Sequence, residues 1–312
     1  CIVRADAPRA VAFIHCKTCR PELAHQHIGP VRPGSDAKPL VRFLMLRKCG
    51  DDGGMQILDA AHTARALPWG PLTTALAATL TDEAAGHVQA PDRWVLPVAP
   101  GTSWFLMPAW LAPAAGDLAA IKLITYAAAN AQRGLPAILG DVLVMRASTG
   151  ERLALLDGPT VTARRTAAVS LLAVQHLAAQ PSGPLLIIGT GVQALSHLQA
   201  LVHGCGVREV WVRGRTPQRS RDFIAQALQP VPAGQAPWPA GVTLQPADDL
   251  AWALQRCPLV VTATPAAAPC LEGPLRADAL VAAIGAFTPA MIELAPPLTR
   301  QLAATGRVVI DS

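Results

Sequence analysis

The chain has 312 residues, 51% of them hydrophobic and 15% charged, with a formal net charge of +5. That length and apolar content can bury one large or two ordinary cores, which excludes a disulfide-stapled miniprotein and a disordered chain. The positive excess sits in residues 1–54, where nine Lys and Arg face five Asp and Glu. The rest is nearly neutral, which excludes the basic stripe of a nucleic-acid binder.

Residues 1–54 read unlike the remainder. They begin with Cys1, hold four of the seven cysteines (Cys1, Cys16, Cys19, Cys49) and show no sustained helical or strand period. Cys16, Cys19, His25 and His27 are zinc-ligand types, but the gap between cysteines and histidines is too short for a finger helix, so no metal is expected. A poorly ordered extension is expected here, with Met55 as the natural start and MQILDAAHTARAL opening a domain. No apolar run reaches about 18 residues, so no membrane-spanning helix is expected. The N-terminus also lacks the order of a signal peptide, and a cytoplasmic location is expected. Cys205, Cys257 and Cys270 are read as buried free thiols. His62, His87, His176, His197 and His203 lack metal spacing and read as surface or core residues. Lys122 is the one lysine of residues 55–312, among 16 arginines. From composition alone it is either a chance surface residue or one that chemistry requires.

The clearest local signal starts at residue 184. PLLIIG (184–189) is a short apolar run ending in glycine, followed by GTGVQA (189–194), a helical stretch to about His203 and a second β-rich run, REVWVRGRT (208–216). Strand, glycine turn, helix, strand is the order of a dinucleotide-binding unit. Gly189 permits the tight turn and Gly191 a close backbone approach to a pyrophosphate. Ala194 is small enough for helix–strand packing, and Thr190, Val192 and Gln193 complete the cofactor-binding turn. The alternative is an ordinary tight turn without a ligand.

Cofactor choice is read at the end of the second strand. An NAD site usually places an acid there for the ribose 2′-hydroxyl. This chain has Arg213, Gly214, Arg215, Thr216 and then Arg219, with no acid to repel a 2′-phosphate and several guanidinium groups to grip one. NADP(H) is favoured, NAD(H) remains possible, and the alternative is a solvated arginine turn. LVVTAT (259–264), ALVAAIGA (279–286) and RVVID (307–311) continue the pattern of buried parallel strands. Ligands bind at the carboxyl ends of such strands, so Thr262, Ala263, Thr264 and Gly285 join the cofactor candidates.

From Met55 onward the chain resembles the ornithine cyclodeaminase/mu-crystallin family. The matching runs include LDAAHTARALPW (58–69), PDRW (91–94), MPAW (107–110), AAIKLITY (119–126), TGERLALLDG (149–158), TARRTAAVS (162–170), GTGVQA, GRT (214–216), VTATP (261–265) and IGAFTPAMIEL (284–294). The resemblance implies an α/β fold: a Rossmann-type doubly wound parallel sheet at 167–312, preceded by an N-terminal α+β substrate and dimerisation domain at 55–166. It implies a homodimer that acts on a small imino or amino acid. The family's carboxylate-binding trio falls on Arg93, Lys122 and Arg165. Fixed cations orient an α-carboxylate, and a lysine beside the reacting carbon can also serve as the catalytic proton donor.

Two departures from the family pattern carry weight. Cyclodeaminases and the family's alanine dehydrogenases place an aspartate after the glycine pair of the late strand; here the run is Gly285-Ala286-Phe287, and a phenyl ring cannot accept a proton. Together with the arginine-rich turn, this favours an NADPH-dependent reductase of a ketimine or cyclic imine such as pyrroline- or piperideine-2-carboxylate. An ornithine cyclodeaminase or amino-acid dehydrogenase is one alternative, and a non-catalytic NADP-binding mu-crystallin-like protein another. Family chains also continue past the last strand with a segment that returns to the first domain, so further sequence is expected beyond Ser312.

Overall fold

The computed structural model describes residues 11–15, 54–229, 236–286 and 291–311. The chain divides into two units: one holds the described residues of 1–33 and 166–312, the other those of 34–165. The first strand, β1 (Val11–His15), belongs to the former unit and is taken up with it.

The 34–165 unit is built on a mostly antiparallel sheet. It contains β2 (Gln56–Leu58), α1 (Ala60–Ala66), α2 (Trp69–Ala84), β3 (Val88–Gln89), β4 (Trp94–Ala99), β5 (Thr102–Leu111), β6 (Ala119–Ala127), β7 (Ile138–Met145) and β8 (Arg152–Asp157). The strands lie in the order β2-β8-β7-β6-β5-β3, with β4 also paired to β5 and only β2–β8 parallel. Asp59 starts α1 by accepting from the His62 amide at 2.8 Å, which satisfies one of the helix's unpaired amides. Side chains alternate between faces along each strand, so register decides which residues meet. Lys122 stands opposite Met107 on β5 and Val142 on β7; Ile124, two residues on, stands opposite Phe105 and Gly140. Ile124 is buried, as are Ala154 and Leu156 of β8, whose partners place them on the same face. The inner face therefore carries both the apolar packing and Lys122.

The boundary between the units falls within α3 (Gly158–Leu177). The other unit continues with β9 (Leu185–Ile188), α4 (Val192–Cys205), β10 (Glu209–Arg213), α5 (Pro217–Ala227), β11 (Thr243–Pro246), α6 (Leu250–Arg256), β12 (Leu259–Thr262), β13 (Leu280–Ala283), α7 (Pro296–Thr305) and β14 (Arg307–Asp311). Its sheet is parallel throughout, in the order β11-β10-β9-β12-β13-β1-β14. β9 and β12 are neighbours although far apart in sequence, so the strand order reverses between them, the place where open parallel sheets bind ligands at their carboxyl ends. All four residues of β9, β12 and β13 are buried, as a sheet covered on both faces requires. Leu186, Ile188, Val260 and Val281 pack on one face with Ala253 and Leu254 of α6 and Leu298 and Leu302 of α7.

The sequence reading placed no regular element before Met55, but the structure places β1 between β13 and β14, parallel to both. A five-residue run is too short to show a period, and its partners lie at 280–283 and 307–311, so only long-range pairing defines it. Cys1, Cys16, Cys19, His25, His27 and Cys49 lie outside the described residues.

Candidate active site

Two constellations form, one in each unit. In the parallel sheet, Gly189 follows β9 with φ +130, a conformation L side chains rarely adopt. A Cβ there would lie 2.5 Å from the Ala263 carbonyl oxygen, across the point where the strand order reverses. Gly191 is the N-cap of α4, with no side-chain cap and open space where a Cβ would stand. The first amides of α4 are thus left for an external acceptor, at the positive end of the helix dipole. Val192, the first residue of that helix, is 72% exposed, and the side-chain oxygen of Gln193 is buried without a hydrogen-bond partner. An uncapped helix start, a backbone free of side chain and an exposed apolar residue fit a dinucleotide whose pyrophosphate rests on this turn.

The turn after β10 lies against it. A Cβ on Gly214 would come within 3.1 Å of Thr190 and 2.9 Å of Arg219 Cβ, so the glycine lets the two turns approach. The Gly214 amide donates to Ser220 Oγ at 2.8 Å, and Thr216 caps α5 by accepting from the Arg219 amide. Arg215, Thr216 and Arg219 are exposed there. Arg213 is not part of that group: its guanidinium donates to the carbonyls of Ala247 and Asp248 at 3.0 and 2.9 Å, tying β10 to the end of β11. The sequence shows the arginines of this turn but not which way each guanidinium leads.

At the neighbouring strand ends, Thr262 is wholly buried, whereas Ala263, Thr264 and Gly285 are partly exposed. Glu293, which sequence reasoning passed over, is 3% exposed and lies against Thr264 and Gly285. Burial raises its carboxyl above the usual carboxylate range, and the amides of Thr264 and Gly285 pull it back. The available signal was a single acid inside an otherwise apolar run, AMIEL. Phe287 lies outside the described residues. Cys257 is buried and Cys205 and Cys270 half-buried; burial pushes the Cys205 thiol up to about 11 and the Cys257 thiol up to about 12, so these are inert sulfurs. His197 is a core residue, its ring bonded to the Gln193 carbonyl at 2.7 Å and Ser170 Oγ at 2.9 Å. Among the described residues no cluster of His, Cys, Asp or Glu can hold a metal ion.

The second constellation lies on the inner face of the antiparallel sheet. Arg93 places its guanidinium carbon 5.5 Å from the centre of the Phe105 ring, a cation–π geometry. Phe105 shares its face with Lys122, so Arg93 and Lys122 lie on the same side. The Lys122 ammonium donates to Thr162 Oγ1, in α3, at 3.4 Å. This helix comes close because Gly158 has no side chain: a Cβ there would stand 2.8 Å from the Ile124 side chain. Arg165 is one turn beyond Thr162, on the same side of the helix. The inner face therefore carries Arg93 and Lys122, with the Thr162 turn of α3 against Lys122 and Arg165 on the next turn.

Arg164 is the structural member of the adjacent pair. It donates to the Leu67 carbonyl at 2.9 Å and stacks 4.4 Å from the centre of the Trp69 ring, and burial lowers its pKa. It is a half-buried strut.

The ornithine cyclodeaminase/mu-crystallin family model matches residues 57–306. A Delta(1)-pyrroline-2-carboxylate reductase of Burkholderia multivorans is 38% identical over 255 residues, 82% of this chain and 76% of that one. The ketimine reductase mu-crystallin of Rattus norvegicus is 31% identical over 233 residues, 74% and 69% of the two chains. Among solved structures, the Thermococcus litoralis Delta(1)-pyrroline-2-carboxylate reductase in complex with NADH and L-proline superposes with a TM-score of 0.67 at 23% identity, covering 77% of this chain and 72% of that one. On the family match and the identity of its relatives, the chain belongs to the ornithine cyclodeaminase/mu-crystallin family.

Proposed function

We propose that this protein reduces the C=N bond of a small imino acid, a ketimine or a cyclic imine such as pyrroline- or piperideine-2-carboxylate, with NADPH as the preferred reductant. The observation that carries the proposal is the inner-face group: Lys122 beside Thr162, Arg93 on Phe105, and Arg165 one helical turn from the Lys122 contact. The curated relatives named for this reaction class support it.

Arg93 and Arg165 bind the substrate carboxylate, since guanidinium groups match carboxylates in charge and fork geometry. Lys122 adds a third cation and donates a proton to the imine nitrogen, so that the substrate reacts as its iminium, the stronger electrophile. When bound, the dinucleotide would supply the hydride that reduces an iminium. The balance is imine, one proton and one hydride giving a secondary amine and oxidised cofactor. Gly189, Thr190, Gly191, Val192 and Gln193 would hold the pyrophosphate; Gly214, Arg215, Thr216 and Arg219 would receive the 2′-phosphate; Thr262, Ala263, Thr264 and Gly285 would frame the nicotinamide end.

Following NADPH absorbance with pyrroline- and piperideine-2-carboxylate tests the reading directly. Turnover is expected with at least one of them, and no proline is expected from ornithine with NAD. Lys122→Ala is expected to lower turnover by about a hundredfold or more, the scale of a general acid's contribution, with NADPH affinity retained. Wild-type activity in that variant rejects Lys122 as the proton donor.

The proposal extends to a homodimer acting in the cytoplasm. On the sheet face opposite Lys122, Trp94, Leu96, Trp104, Trp110, Leu123 and Leu139 are each between 38% and 61% exposed. A contiguous apolar face of this kind is covered most simply by a second copy.

A further inference from the structure

Glu293 is a buried carboxylate that neither the cofactor turn nor the carboxylate-binding group uses. The ladder between β12 and β13 ends where the Ile284 amide donates to the Thr262 carbonyl at 3.0 Å. Beyond that point the Glu293 side chain joins the two strand ends. Its Oε1 accepts from the Thr264 amide at 2.8 Å and the Thr264 hydroxyl at 3.1 Å, and its Oε2 accepts from the Gly285 amide at 2.6 Å. A Cβ on Gly285 would collide first with the Thr264 backbone oxygen and nitrogen and then with Oε1, so the glycine lets both the neighbouring strand end and the carboxylate approach. The backbone of Glu293 is held as well: its carbonyl accepts from the Cys270 and Leu271 amides, both at 2.9 Å, and Leu294 bridges Leu271. A carboxylate costs far more to bury than an apolar side chain would. What it provides in return is geometric, a short charge-assisted bond to each of two backbone amides.

We propose that Glu293 is a positioning residue for hydride transfer. By fixing the backbone of Thr264 and Gly285, it sets the frame against which the nicotinamide ring rests. The inference rests on the reductase reading above. Both oxygens of the Glu293 carboxylate face protein donors, so it acts through Thr264 and Gly285 and not on the substrate.

The decisive variant is Glu293→Gln. An amide has one acceptor oxygen and one NH2 donor, so it must turn that donor toward the amide of either Thr264 or Gly285. Three quantities are measured with the wild type alongside: affinity for 2′,5′-ADP, which probes the adenine half alone; kcat for imine reduction; and the primary isotope effect with NADPH deuterated at the transferred position. The expected result is unchanged 2′,5′-ADP affinity in a protein that stays folded with a melting temperature lowered by a few degrees, the effect of an unsatisfied buried donor, together with kcat lowered about tenfold to a hundredfold and an increased isotope effect. Wild-type kcat and isotope effect in folded Glu293→Gln overturn the proposal, as does a parallel loss of 2′,5′-ADP binding, which marks general unfolding. If Glu293→Gln does not fold, Glu293→Asp, which keeps the charge and shortens the reach, is read by the same criteria. A wild-type protein that does not oxidise NADPH with any imine overturns the reductase reading and this one together. An active wild type with an unaltered variant overturns this one alone.

Discussion

Arg164 and Arg165 are neighbours in sequence with opposite assignments. Arg164 reaches back 97 residues to the Leu67 carbonyl and covers Trp69, so its loss removes a buried hydrogen bond and a cation–π contact. Arg164→Ala is expected to lower stability by about 1–3 kcal/mol, read as a fall in melting temperature or in the denaturant midpoint. Arg165→Ala is expected to raise KM for the imino acid by about tenfold or more, the loss of a charge-assisted pair. The reverse pattern would exchange their roles. At the cofactor turn, Arg215 and Arg219 are exposed, while Arg213 is tied to the end of β11. Replacing Arg215 and Arg219 together by Ser is expected to weaken NADPH by about tenfold to a hundredfold, the value of two guanidinium–phosphate contacts, and to leave NADH unaffected. Equal effects on both cofactors would remove the 2′-phosphate assignment.

At the scale of elements, the segment leading into β13 carries an acid-sensitive clamp. Asp278 pairs with Arg276 through two hydrogen bonds, of 2.9 and 3.0 Å, and accepts from Gln180 at 2.7 Å. The Arg276 guanidinium, helped by Gln180, holds the Asp278 carboxyl below its ordinary value against the opposing effect of burial. A depressed carboxyl binds fewer protons folded than unfolded. Its stabilisation is therefore complete above the unfolded pKa, about 3.9, and is lost as pH falls through the folded value. The pair is partly solvated, so its worth is about 1 kcal/mol or less. Asp278→Asn is expected to flatten the acid limb of a stability–pH profile below about pH 4 and lower the plateau at neutral pH by that amount. An unchanged acid limb would show that other carboxylates dominate it.

For the whole molecule, the prediction concerns the apolar sheet face. Leu123 is 38% exposed and lies on it with Trp94, Trp104 and Trp110. A charge placed there remains hydrated in a monomer but is stripped of water in an apolar interface. Leu123→Glu is expected to shift the mass in light scattering from two copies to one without lowering the melting temperature of the monomer. A wild type that is monomeric at all concentrations would show that the face has another role.

Much of the nucleotide-binding unit was legible in the residue string because its signals are local. A parallel strand buried on both faces is a continuous apolar run, and a turn that must accept a phosphate needs glycines at set positions, so GTGVQA and LVVTAT identify themselves. Arg93, Lys122 and Arg165 were singled out as a group only through family resemblance, since nothing in their spacing relates positions 93, 122 and 165. Tertiary structure decided what depends on distant partners. It placed Val11–His15 between strands at 280–283 and 307–311, made Arg164 and Arg213 struts, and set Glu293 against a strand end 29 residues earlier. Periodicity and turn chemistry are written in a few consecutive residues, whereas the direction of a long charged side chain depends on whichever carbonyl, ring or amide the fold carries to its tip.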